Sequence, residues 1–364
     1  MSTASAGGGA QKGFRLRSGV AAWPRWAPVA AAVVLVGYAG AAAVGLFGGP
    51  YVFVLPSNPD NVFAEHWLAR QPRRIVEVLT LGIGLAGAAA MLLQMRGVTF
   101  GRHALITAGV LVAGFTLLVL PGKLALDAVP GLNLLNLKRL DWPTVHLVLL
   151  LYAGIAVSAS TVAYLRRVRG ACVHCGRRVG HPDLSSQTWT VIGTVASVAA
   201  LLAPLGYASS RLLWALGVPV GTTPEFLAQI NANNPANVTV ILELSMVAMA
   251  VGGGVLCLGL TRSWSQTWPR WIPGAAGRPV PHWFPVTLAF ICGIALCGVG
   301  AQLVPDLVRF AAGDTVFFPG SSVPTTWVSH IPGLSLLLWG PLVLTSAAAF
   351  HYRTRSSCVH CGRG

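Results

Sequence analysis

Eight stretches of this chain are long and apolar enough to cross a lipid bilayer, and nothing else in the sequence constrains the fold as strongly. They occupy residues 27–47, 75–93, 104–120, 145–165, 190–209, 238–260, 284–304 and 331–350, the third being the shortest. A span needs about 20 mostly apolar residues, because lipid offers no partner for free backbone N–H and C=O groups. Composition agrees. Of 364 residues, 54% are hydrophobic and 10% charged, and the mean hydropathy is +0.66; a soluble domain carries roughly 25% charged residues. A soluble globular enzyme, a disordered chain and a disulfide-rich secreted scaffold are thereby excluded. The expected fold is all-α: a polytopic membrane protein of eight transmembrane helices, with the lipid bilayer as its first partner.

The net charge of +15 would suggest nucleic acid in a soluble protein. Here its distribution reads instead as the positive-inside bias of a membrane protein, with no nucleic-acid partner. With eight spans, one side carries 17 basic residues, from Lys12 through Arg96, Arg166, Arg177 and Arg278 to Arg363, against a single acid, Asp183. The other side carries the remaining 8 bases and 9 acids, Glu77 and Glu243 included. Both termini are therefore expected in the cytoplasm of a cell-membrane protein. Residues 1–26 read as a cytoplasmic tail, disordered at least over its small polar start. The first apolar run resembles a signal peptide, ending near Ala39-Gly40-Ala41. It exceeds the usual 7–15-residue core of such peptides, so a retained helix is expected.

Residues 150–177 align without a gap on residues 336–363, and 14 of the 28 positions are identical. They include Gly154/Gly340, Val157/Val343, Ser160/Ser346, Ala163/Ala349, Arg167/Arg353, Arg169/Arg355 and a closing run of six residues. Weaker echoes lie upstream: Gly37-Tyr38-Ala39 against Gly206-Tyr207-Ala208, and Glu77 against Glu243. The chain thus divides into two four-helix membrane repeats, residues 27–178 and 188–364. An even number of spans returns each repeat to its starting side, so the two are parallel, about an axis along the membrane normal.

The six-residue run is Cys172-Val173-His174-Cys175-Gly176-Arg177, repeated as Cys358-Val359-His360-Cys361-Gly362-Arg363. Two cysteines separated by two residues direct both sulfurs at one metal, and the following glycine permits a tight turn. The runs resemble zinc-ribbon knuckles, and the repeat axis can bring them together. Cys172, Cys175, Cys358 and Cys361 are then the ligands of one structural zinc, stapling the two repeats at the inner membrane face. Other readings stay open on spacing alone: redox-active dithiols, two separate sites completed by His174 and His360, or a relic without function. Cytoplasmic thiols stay reduced, which favours metal ligation over disulfides. Cys257, Cys292 and Cys297 lie in apolar spans and read as packing residues.

Glu77 and Glu243 lie within spans, where a carboxylate is costly and marks a candidate solute or proton site. The alternative is a carboxylate near the headgroups, paired with Arg73 or Arg74 in the case of Glu77. Arg211 reads either as a snorkelling residue after the fifth span or as the partner of Glu243. His146 and His330 open the fourth and eighth spans at interfacial depth, too shallow for a bis-histidine haem site. Gly82, Gly84 and Gly87 fit a dinucleotide fingerprint, but with no preceding strand they read as helix packing.

Residues 207–221 (YASSRLLWALGVPVG), with Arg211 and Trp214, resemble a segment of polytopic membrane proteins of high-GC Gram-positive bacteria that have no assigned function. The resemblance implies membrane localisation and class, and no catalytic residue. Three functions fit: a small-solute transporter or membrane-embedded binding protein, supported by the repeat and the paired glutamates; a non-catalytic accessory protein whose zinc staple holds an Arg-rich face for a cytoplasmic protein partner; and a thiol oxidoreductase using the cysteine pairs.

Overall fold

The computed structural model describes residues 22–52, 71–119, 142–178, 180, 184–232, 238–313 and 330–363; most of the expected tail lies outside them. Among the described residues all regular elements are helical, with two isolated β-bridges beside them. In chain order they are α1 (Trp23–Leu46), α2 (Arg73–Met95), α3 (Arg102–Gly114), α4 (Trp142–Val168), α5 (Ser186–Leu202), α6 (Leu205–Ala215), α7 (Pro224–Ala232), α8 (Val238–Gly259), α9 (Trp283–Ala311) and α10 (Ile331–Thr354).

Seven helical segments among the described residues are long and apolar enough to cross a membrane; α5 and α6 together form one of them. The expected third span departs from the pattern. It is a shorter apolar helix, Arg102–Leu118, whose last turn widens into a π-helix over Phe115–Val119. The fifth span also differs. Pro204 has no N–H to donate and breaks the helix, which ends at Leu202 and resumes at Leu205. Arg211 therefore lies inside α6 rather than beyond the end of the span.

The helices bury small residues and leave their large aliphatics outward. Val33, Leu111, Val195 and Leu256 are each more than 60% exposed, the surface a bilayer would cover. Inside, backbone approaches backbone. A Cβ on Gly84 of α2 would lie 2.8 Å from the Leu35 carbonyl oxygen of α1, and one on Gly340 of α10 would lie 2.6 Å from the Cys297 nitrogen of α9. Cys297 is thus a packing residue, as expected. In the first half α4 packs on α1 and α3, and α1 on α2. In the second, α10 packs on α5 and α9, while α5 and α6 pack on α8. The halves meet chiefly where α9 packs on the π turn and at the two cysteine runs.

The residues shared by α4 and α10 form the buried face of each helix. Val157, Ser160 and Ala163 are nearly inaccessible, as are Val343, Ser346 and Ala349. Buried hydroxyls need partners. Ser160 donates to the Gln94 side chain at 3.0 Å, and Ser346 pairs with Ser197 at 2.5 Å. Arg167 of α4 donates to the Gln94 carbonyl that ends α2, at 3.4 Å. Arg353 of α10 donates to the Leu260 carbonyl that follows α8, at 3.0 Å.

Candidate metal centre

Four residues after α4, the chain makes a turn that is repeated almost atom for atom after α10. In the first knuckle the Gly176 N–H donates to the Cys172 carbonyl (2.7 Å) and the Cys172 N–H to the Arg177 carbonyl (2.9 Å). In the second, Gly362 donates to Cys358 (2.7 Å) and Cys358 to Arg363 (2.8 Å). Both turns need a left-handed residue, and Gly176 (φ 78°) and Gly362 (φ 69°) supply it without steric cost. The glycine of each run is thus a geometric requirement for folding both thiols to one side.

The two knuckles then face each other. The sulfurs of Cys172, Cys175, Cys358 and Cys361 all lie within 4.8 Å of one another, and those of Cys175 and Cys361 are 3.5 Å apart. A tetrahedron with metal–sulfur bonds of about 2.3 Å has sulfurs about 3.8 Å apart, so the donor set fits a tetrathiolate metal. Residues 186 positions apart in the sequence converge here, as the spacing argument required.

Cross-braces hold the pair. Arg177, almost fully buried, donates to the Ser356 carbonyl (3.2 Å) and the Arg363 carbonyl (2.5 Å), and Arg363 reaches back toward the Arg177 carbonyl at 3.5 Å. Arg355 donates to the Cys175 carbonyl at 2.7 Å. Arg166 donates to the Val173 and His174 carbonyls at 2.8 and 2.9 Å. The imidazoles of His174 and His360 stack at 3.6 Å, only 13° from parallel. Burial, His360 and Arg166 all hold His174 below its ordinary pKa, and a neutral ring stacks without charge repulsion. The alternative of two separate sites completed by these histidines is not the arrangement found. Of these braces Arg177 and Arg363 stand in the repeated run, whereas Arg166, which aligns with Tyr352, has no counterpart in the second repeat.

The thiols are unequal. Burial opposes ionisation of Cys172, but the N–H groups of Cys175 and His174 and the thiols of Cys175 and Cys361 outweigh it and bring it down to about 7. Cys358 is lowered against burial by the N–H groups of His360 and Cys361. Cys175 is pushed up to about 12, first by burial and then by donating to the other three sulfurs. Ligation requires the thiolate form, and a soft divalent cation displaces thiol protons as it binds. The four guanidinium groups around it would offset the net −2 of a divalent metal held by four thiolates.

The candidate carboxylates lie elsewhere, each held within its own half. Glu77 accepts from Arg73 at 2.8 Å, and Arg73 also donates to the Gly49 carbonyl at 2.6 Å and lies over the Tyr51 ring. Glu243 pairs with Arg211 at 3.4 Å, and Arg211 lies over the rings of Tyr207 and Trp214, at 5.1 and 4.7 Å. An apolar pocket of the first half, lined by Tyr38, Thr80, Phe115 and Thr116 among others, has neither carboxylate in its wall. His146 is fully buried, and its Nδ1 is 2.8 Å from the Tyr38 hydroxyl, a pair that spacing gave no means of finding. Comparison with protein families, curated proteins and solved structures gives no match to this chain.

Proposed function

We propose that this is a non-catalytic cell-membrane protein of two parallel four-helix repeats, clasped at its cytoplasmic face by one structural zinc on Cys172, Cys175, Cys358 and Cys361. The convergence of two knuckles into one four-sulfur cluster carries the reading. Parity supports the eight-span layout. Pro24, at the start of α1, accepts from Arg167 at 3.2 Å, so α1 begins on the knuckle side. The end of α2 meets the same arginine, so α3 begins there too. Because α4 ends at a knuckle, it starts on the far side, and the short α3 must carry the chain across. Four crossings then separate Cys172 from Cys358, which leaves both on one face. The shared pairings of α4 and α10 support the repeat, and the excess of arginine around the knuckles supports a cytoplasmic location.

Within this reading Glu77 and Glu243 are structural anions, each neutralised by an arginine of its own half, and the knuckle face with its arginines is a docking surface for a cytoplasmic partner. Elemental analysis of the purified chain should give one zinc per molecule. Cys172→Ser should lose that zinc and lower the thermal midpoint. A stable, metal-free protein whose thiols cycle reversibly through disulfides would refute the clasp and favour the oxidoreductase. A C-terminal fluorescent reporter that matures only in the cytoplasm should be bright; a dark fusion at normal expression would refute the orientation.

A further inference from the structure

The connection between α8 and α9 differs from an ordinary short turn. Residues 261–282 form a tight hairpin in which Trp268 N–H donates to the Arg278 carbonyl (2.9 Å), Gly277 to Trp268 (3.0 Å) and Val280 to Gln266 (2.8 Å). The Trp268 ring anchors it against Phe284 at the start of α9, 5.2 Å away. What the hairpin turns outward is unusual for a surface in water. Trp271 is 81% exposed and Trp264 48%, Trp283 on the adjoining first residue of α9 is 64% exposed, and Arg262, Arg270 and Arg278 are all exposed beside them. Residues 261–283 contain no acid, and among the described residues none of these arginines has an acidic partner.

We infer that this hairpin is a docking site for anionic phospholipid headgroups of the leaflet on the knuckle side. The inference rests on the proposed spans. Both ends of the hairpin are ends of apolar helices, so the loop starts at headgroup depth. Its root lies on the knuckle side, because the Leu260 carbonyl accepts from Arg353 of α10, close to the second cysteine run. An indole there places its body at the acyl boundary and its N–H among phosphates, while each guanidinium binds a phosphate through a fork of two hydrogen bonds. The occupant is anionic because, among the described residues, three cations stand without a counter-charge. The matching connection of the first half, between α2 and α3, repeats the alternation in brief: Arg96, then Phe100 at 93% exposure, then Arg102.

The test compares the full-length chain with Trp271→Phe in vesicles containing acyl-brominated phosphatidylglycerol or acyl-brominated phosphatidylcholine at equal mole fraction. The Trp271-dependent emission should be quenched more by the anionic lipid. Each arginine near an anionic surface contributes about fivefold in partition, so the R262Q/R270Q/R278Q variant, with its zinc content checked against the parent, should show no preference. Glycerol phosphate in the buffer should leave the preference intact. Equal quenching by both lipids, or a preference abolished by glycerol phosphate, overturns the headgroup site. Emission quenched by neither lipid also overturns it and assigns the face to an aqueous partner such as an acidic protein. Alkaline extraction of the same vesicles separates the two ideas: a chain that leaves the membrane refutes the spans, whereas one that stays without lipid preference refutes only the docking site.

Discussion

Glu77 and Glu243 occupy corresponding helices, yet neutralising them should have unequal consequences. Arg73 is 46% exposed and can turn to water if its partner loses charge, so Glu77→Gln should cost about 1 kcal/mol or less. Arg211 is 18% exposed and wedged between aromatic rings, so Glu243→Gln leaves a nearly buried cation without its anion. We expect a loss of about 2 kcal/mol or more there. Thermal unfolding in one detergent compares the two; a Glu77 variant hit harder than the Glu243 variant would contradict this account. The Arg211–Glu243 pair was one of two readings open in the sequence. Deciding between them required the helix break at Pro204, which brings Arg211 into α6 and within reach of α8.

At the scale of helices, the glycines of α2 separate packing from coincidence. A Cβ on Gly84 would press into the Leu35 carbonyl and the Ala39 Cβ, whereas one on Gly82 would meet nothing within 4 Å. Gly84→Ala should therefore force α1 and α2 apart and destabilise by about 1–3 kcal/mol. Gly82→Ala should be neutral, or stabilise slightly through helix propensity. Equal thermal midpoints for the two variants would show that the close approach is not maintained. Gly84 and Gly87 are packing glycines, as the sequence reading had them, whereas Gly82 is not. Apolar periodicity located the helices well, because lipid imposes a length and a polarity on each span. It placed the third within two residues of the helix found, without the π turn that ends it, and it was blind to the interruption of the fifth.

For the whole molecule, the clasp predicts a particular failure when metal is withdrawn. The helices of each half are held by their own buried faces, so chelation should leave far-UV helicity nearly unchanged. The knuckles lose the cation that joins them, so proteolysis of the connection from 177 to 187 should accelerate, and zinc should restore protection. Global loss of helicity on chelation would mean instead that the halves cannot stand without the metal.

By itself the sequence displayed the apolar runs, the gathering of basic residues into alternate connections and the match of residues 150–177 with 336–363, because each of these is a matter of composition, charge count or spacing along one dimension. It also named the four cysteines and the glycine each turn needs. Whether the cysteines meet depended on how two bundles settle against each other, through the packing of α9 on the π turn and arginines that bind carbonyls of the opposite knuckle. The same holds for the Tyr38–His146 contact and for the separate arginine that each glutamate finds. Those contacts join residues tens to hundreds of positions apart, and helix packing in three dimensions, which no local pattern encodes, sets the distances between them.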